Sequence, residues 1–337
     1  MLRLLGILIT VAAAVGAAVV TWPQFFRLER TFPFAQLVAA RPVLLLVFAV
    51  VAVLAVLLML VRRARGFAAS ILVVAVVATA ANATILTVRG LGSDHMPAPT
   101  ADSIRVMTWN TAGEATDPAL IARTAIAMQA DIIALPETTA ETGTAVAVAM
   151  REGGSPMWVH HEDFEGWDAN WTTLLISPDL GDYAVVDSVA GGTANTSLVP
   201  SVVAMPVDGE GPIVVAAHAV APRQEEMALW RRDLQWLADQ CASADVIMAG
   251  DFNATVDHMA RLGVDGGDLG RCRDAAVRTG NGAVGTWDTR WPALLGVPID
   301  HVMATPAWTP TGSVVLASLD GQGSDHRPVI VQYEPAG

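Results

Sequence analysis

Hydrophobic residues are arranged in two unlike ways along this chain. Over the first 89 positions they form three nearly unbroken runs, at 4–22, 43–61 and 67–88, none interrupted by a charge. Each is close to the ~20 apolar residues that cross a bilayer as a helix, so the pattern predicts a membrane domain at 1–89 with three transmembrane helices. Residues 90–102 lose all periodicity and gather Gly, Pro, Ser and Thr, which predicts a linker with His95 as a solvated residue within it. From 103 to 337 short apolar runs alternate with polar stretches, the pattern of a globular domain.

Within that domain the segments 104–109, 131–135, 172–176, 201–206, 213–217, 246–249, 301–304 and 328–332 read as strands. Two helices are predicted. One covers 118–130, with Asp117 as cap and Pro118 in the first turn; the other covers 223–243, where Met227, Leu234 and Leu237 recur at helical spacing. Strands outnumber helices, so the class is mixed α and β with a large sheet component.

The first apolar run has a competing reading as a cleaved signal peptide, since Ala12-Ala13-Ala14 and Gly16-Ala17-Ala18 offer small residues for a cleavage site. The run continues past both sites to Trp22 and two more runs follow, which favours an uncleaved anchor. Arg62, Arg63 and Arg65 crowd the short loop between the second and third runs, and the positive-inside rule places that loop in the cytoplasm. Residues 90–337 then lie on the outer face. The first loop conflicts with this, because Arg27, Arg30 and Arg41 face only Glu29 there.

Charge sharpens the division. Of 20 basic and 33 acidic residues, residues 1–100 hold eight arginines and two acids, which leaves 12 basic and 31 acidic, a net of −19, for 101–337. No lysine is present. Nucleic-acid binding draws most of its affinity from cations that neutralise phosphates, so this balance argues against a nucleic-acid partner. Cys241 and Cys272 are compatible with a disulfide or with two buried thiols.

Chemistry-bearing residues recur where the strands end. Asn110 follows the first strand, Glu137 the second, His218 the strand at 213–217, and Asp251-Phe252-Asn253 the strand at 246–249; Asp300-His301 opens a later strand, and Ser324-Asp325-His326-Arg327-Pro328 precedes the last. Side chains at strand ends converge on one rim of a sheet, which is how a rigid scaffold assembles a site from distant positions. Singly, each is as compatible with a turn or a surface position.

In this order and context the residues resemble the endonuclease/exonuclease/phosphatase superfamily over about 104–333, most specifically in GDFN and SDHRP. The resemblance implies a four-layer α/β/β/α sandwich of two packed mixed sheets after the three transmembrane helices. It also implies a metal-dependent phosphoester hydrolase with Glu137 as primary Mg²⁺ ligand, Mn²⁺ being possible in its place, and Asn110 and Asp325 completing or supporting the metal sphere. Asp251 and Asn253 would orient water and hold a phosphate oxygen, with Asn110 also touching substrate. Asp300 would orient His326 as general base or transition-state stabiliser, and His218 would contact the scissile phosphate.

The basic and aromatic motif that grips DNA in the family's nucleases is missing; Arg223, just after His218, and Arg290 are the arginines placed by sequence to meet a phosphate, Arg223 being preferred. His301 should face away from Asp300 on a strand and reads as structural. His160 and His161, with Asp163, Glu165, Asp168 and the tryptophans 158, 167 and 171, read as a solvated loop beside the site, a second metal site being the alternative. Trp287, Trp291 and Trp308 read as core residues, with an interfacial rim as the alternative.

The expected partners are the lipid bilayer and a small or lipid-linked phosphate or pyrophosphate. The architecture resembles membrane-bound members of the superfamily associated with glycopeptide resistance. A membrane-tethered extracellular deoxyribonuclease is the second reading, and a non-catalytic binding protein the third.

Overall fold

A computed structural model describes residues 2–164, 169–190, 193–242 and 245–337. The chain divides into two compact units, Met1–Val88 and Arg89–Gly337.

The first unit is helical: α1 Leu2–Thr21, α2 Phe34–Ala39, α3 Arg41–Leu58 and α4 Arg65–Arg89. Three of these, α1, α3 and α4, are long and apolar enough to cross a membrane; the short α2 was not foreseen. The fate of Arg41 bears on the conflict in the first loop. Its guanidinium is buried, donating to the Thr21 carbonyl at 3.1 Å and to Oδ1 of Asn82 at 2.9 Å. Asn82 in turn donates to the Thr21 hydroxyl and the Ala78 carbonyl. Glu29 is buried as well, 3.6 Å from Arg30. A polar side chain among apolar helices must find such partners. Of the three arginines only Arg27 remains an exposed charge.

The second unit holds two six-stranded sheets. The first runs in the order β11-β12-β1-β2-β4-β3 and the second β5-β6-β7-β8-β10-β9. The strands are β1 Ile104–Thr108, β2 Ile132–Pro136, β3 Trp158–Asp163, β4 Trp171–Ile176, β5 Tyr183–Val186, β6 Val202–Pro206, β7 Ile213–His218, β8 Val246–Asp251, β9 Arg273–Asp274, β10 Asp300–Ala304, β11 Trp308–Val315 and β12 Val329–Pro335. Pairings β1/β2 and β7/β8 are parallel and the others antiparallel, so both sheets are mixed.

Strand parity builds the layers. Val106, Ile132 and Leu174 meet Val214, Ile247 and Val302 between the sheets, while their neighbours Met107, Ile133 and Leu175 face the other way and pack with Ile121, Val146 and Met150. The last three come from α5 Pro118–Met128 and α6 Ala140–Glu152, which cover the first sheet. On the far side α7 Met227–Gln240 buries Trp230, Leu234 and Leu237, completing the expected four-layer order. Asp117 caps α5 as predicted, accepting from the Ala119 amide. The eighth helix, α8 Ala275–Thr279, is capped by Asp274.

Sequence pattern missed β3, β5, β9, β11, α6 and α8, and it drew α7 too long; Ser243 lies outside the described residues. The loop expected around His160 is in part strand: Trp158–Asp163 is an edge strand whose polar residues carry no apolar alternation and whose order comes from its ladder with β4. His161 there bonds Thr173 at 2.9 Å; Glu165, Trp167 and Asp168 lie outside the described residues.

Cys241 at the end of α7 is disulfide-bonded to Cys272. Within the second unit, Arg89 makes a two-pronged ion pair with Asp257 at 2.7 and 2.8 Å, the Gly92 amide donates to the Gly280 carbonyl, and the Pro97 carbonyl accepts from Arg105. Gly90 has φ +91° and lies so close to Gly280 that a Cβ would clash.

Candidate active site

Topology brings the strand ends together. In the first sheet β1 and β2 run parallel and β12 antiparallel, so Asn110, Glu137 and the turn ahead of β12 share one edge. In the second sheet β7 and β8 run parallel and β10 antiparallel, and the register sets Asp251 opposite both His218 and Asp300. Packed face to face, the sheets place these two edges side by side.

Asn110 joins the halves. Its Nδ2 donates to Glu137 Oε1 at 3.0 Å and to Asp251 Oδ2 at 3.1 Å, while its Oδ1 accepts from the Ala112 amide. Glu137 itself sits at φ +56°, in the left-handed region that a non-glycine residue occupies only when its surroundings hold it there. Asp251 Oδ1 accepts from the Asn253 amide at 2.8 Å, and the Asn253 side chain donates to the Ala219 carbonyl at 2.9 Å.

The SDH turn is fixed to the end of β1. The Ser324 hydroxyl donates to the Asn110 carbonyl at 2.6 Å and accepts from the His326 amide, and the Trp109 indole donates to the His326 carbonyl. His326 Nδ1 lies 2.8 Å from Asp300 Oδ2, and its Nε2 lies 3.9 Å from Asp251 Oδ2. His218 is buried, with Nδ1 3.4 Å from the Thr172 hydroxyl. Asp325 Oδ2 accepts from the Trp287 indole at 2.9 Å.

Burial and crowding set the charges. Burial, then the neighbouring Asp300, pushes the Asp251 carboxyl up to about 7. Burial also raises Glu137; the Asn110 bond opposes this, while Asp325 and Asp300 add to it. For His326 burial lowers the pKa, but Asp300 through charge and hydrogen bond, with Asp251 and Asp325, lifts it to about 10. Burial holds His218 neutral, its pKa lowered to about 3, with repulsion from His326 in the same direction.

This donor set suits a hard divalent cation. Four carboxylates gather around one imidazolium, and Asp300 Oδ1 is buried without a hydrogen-bond partner. Ligand atoms of Asp251, Asp300 and His326 lie within 4.8 Å of one another. His326, however, is committed to Asp300, and an imidazolium has no lone pair to give. Glu137 and Asp325, carboxylates in electrostatic reach of each other, lie outside that grouping and are the other oxygen donors at hand.

Arg223 is not part of this cluster; it is exposed, 3.9 Å from Glu226. Arg290 is the arginine in electrostatic reach of Asp325, and it is paired with Asp288 at 2.5 Å. Trp287 and Trp291 are not core residues, being 37% and 59% exposed, whereas Trp308 packs against the core and donates to Asp245. Residue-by-residue reading missed Thr286, whose hydroxyl accepts from the Ile299 and Asp300 amides, and gave Ser324 and Trp109 no role.

No curated protein matches the chain. Among solved structures, an endonuclease/exonuclease/phosphatase from Beutenbergia cavernae superposes with a TM-score of 0.51 at 18% identity, covering 70% of this chain and 72% of that one. A family protein from Leptotrichia buccalis gives 0.53 at 15% identity over 68% and 99%. TDP2 from D. rerio, complexed with a single-strand DNA product, gives 0.50 at 17% identity over 69% and 99%. These likenesses show the fold. The sequence model of the endonuclease/exonuclease/phosphatase family matches residues 107–326, from the first strand to the site histidine, and the chain belongs to that family.

Proposed function

We propose that this phosphoester hydrolase is membrane-anchored and Mg²⁺-dependent, and that it acts at the outer face on a small or lipid-linked phosphate or pyrophosphate. The observation that carries the chemistry is the Asp300–His326 pair facing an Asp251 that Asn110 ties to Glu137.

In hydrolysis a water oxygen attacks phosphorus, the P–O ester bond breaks, and the leaving oxygen takes up a proton. Asp251, titrating near neutrality, is suited to accept the proton of that water. Asn110 through its side chain and Asn253 through its backbone amide hold that carboxylate in place, and to meet a phosphate oxygen either side-chain amide exchanges one of its present acceptors for it. His326, kept charged and oriented by Asp300, donates from Nε2 as negative charge builds on the phosphoryl group. Of the two roles the sequence left open for this residue, that charge favours stabiliser over base. His218, held neutral, adds a donor without adding charge. A Mg²⁺ held by Glu137 and Asp325, or Mn²⁺ in its place, would neutralise the phosphoryl oxygens.

The surroundings support this substrate class. The acidic unit repels a polyanion, whereas Trp287, Trp291 and Leu294 expose apolar surface on the stretch leading from Trp287, which is bonded to Asp325. Three helices long and apolar enough to cross a membrane support a place at the bilayer, and a disulfide fits an oxidising compartment. A deoxyribonuclease is the alternative on the same chemistry.

The test is to incubate the full chain in detergent with Mg²⁺ and, in parallel, a polyprenyl pyrophosphate, a generic phosphodiester and plasmid DNA. Turnover of the lipid or small substrate, lost in Glu137→Ala, is expected. Plasmid cleavage as the dominant activity, lost in the same variant, would replace this reading with the nuclease.

A further inference from the structure

On β10 Asp300 and His301 point to opposite faces. Asp300 turns to His326, and His301 turns to a second set of partners that takes no part in the chemistry above. Its Nδ1 lies 2.5 Å from Asp274 Oδ2 and its Nε2 lies 2.8 Å from the carbonyl oxygen of Ala254. A carboxylate and a carbonyl both accept, so the ring donates from both nitrogens. The same ring packs edge to face on Phe252, with centroids 5.3 Å apart at 79°.

Phe252 and Ala254 are the two residues that flank Asn253. Asn253 has φ +47°, a conformation that persists in a residue with a Cβ only where the surroundings impose it. One imidazole therefore holds the chain on both sides of the strained residue, by ring contact before it and by hydrogen bond after it. The other end of this clamp is firm. Asp274 Oδ1 caps α8 by accepting from the Val277 amide at 2.7 Å, the Asp274 amide donates to Asp268, and Cys272 of the disulfide is two positions away.

We infer that His301, held by Asp274, is a positioning residue that sets the backbone of Asn253 and, through the Asn253 amide on Asp251, the proton-accepting carboxylate of the site. The clamp stands on geometry alone; its consequence for turnover rests on the hydrolase reading.

The experiment compares His301→Phe, His301→Gln and Asp274→Asn in the full chain. Phenylalanine keeps the contact with Phe252 and removes both donors. Glutamine keeps one donor toward Ala254. Asparagine keeps an oxygen to cap α8, so it serves where His301→Phe fails to fold. Deuterium uptake across 252–255 should rise in His301→Phe and Asp274→Asn, with uptake over β1 and β12 unchanged. kcat should fall about 10- to 100-fold, the scale of a misplaced catalytic group, with KM within twofold, and His301→Gln should recover part of the loss. Unchanged uptake at 252–255 overturns the clamp; raised uptake with unchanged kcat overturns the positioning role. If the wild type turns over none of the three substrates, the hydrolase reading falls, and uptake alone still decides whether His301 sets Asn253.

Discussion

The His326 ring stands between two carboxylates, bonded to Asp300 on one nitrogen and facing Asp251 with the other. Removing it takes away a charged donor and leaves Asp300 buried with a second unsatisfied oxygen. His326→Ala should therefore lower kcat at least ~100-fold, the usual scale for such groups, with near-ultraviolet dichroism showing that the fold survives. Turnover unchanged in a folded variant refutes the assignment. The identity of this histidine was legible in the sequence because it sits in a tight local motif. Its partner was less so: Asp300 and His301 are adjacent titratable residues, and only the strand's alternation decides which one reaches the site. Arg223 shows the limit. Nearness in sequence to His218 says nothing about the path of the chain afterwards, and of the two arginines the sequence offered the structure puts Arg290, not Arg223, in reach of Asp325.

Among elements, the buried strands announced themselves as continuous apolar runs because both of their faces are covered. Edge strands did not. The sequence of β3, Trp158–Asp163, is mostly polar, and its conformation comes from pairing with β4; β11 is held in the same way against β12, with an irregularity at Pro310 and Gly312. The disulfide is a further link between elements, joining α7 to the segment that leads into β9 and α8 across a sequence separation of 31. Closing a loop of that length stabilises a fold by about 3 to 4 kcal/mol on chain-entropy grounds. Reduction, or Cys241→Ser with Cys272→Ser, should lower the midpoint of denaturant unfolding of the second unit correspondingly. An unshifted midpoint means the disulfide does not stabilise the folded state.

For the whole molecule, two properties are testable without any substrate. The chain has two tyrosines. Burial, then Asp208 and Asp245, pushes Tyr183 up to about 12, and burial raises Tyr333 well above the ordinary phenol value. A phenol whose folded pKa exceeds the unfolded ~10 contributes stability that is complete below pH 10 and lost as pH rises through the folded value. Phenolate absorbance of the native chain should therefore stay flat past pH 10 and appear on approaching pH 12 together with unfolding, whereas in denaturant both rings titrate near 10. Titration at 10 with the far-ultraviolet spectrum intact contradicts this. Orientation is tested by Arg63→Cys and an impermeant maleimide on intact cells. The proposed topology expects labelling only after permeabilisation; labelling from outside reverses it.

The amino-acid sequence determined what depends on local pattern and residue type: three apolar spans of bilayer length, an acidic globular unit, the buried strands, and Asn110, Glu137, Asp251, Asp325 and His326 in motifs compact enough to be read along the chain. Tertiary structure decided what depends on neighbours distant in sequence. It paired Cys241 with Cys272, buried Arg41 against Asn82, sent Asp300 to one face and His301 to the other, and packed two sheets so that Asn110 bridges Glu137 and Asp251. The physical reason is that charge state, burial and hydrogen-bond partner are set by the space around a side chain, and that space is made by residues that the local sequence does not contain.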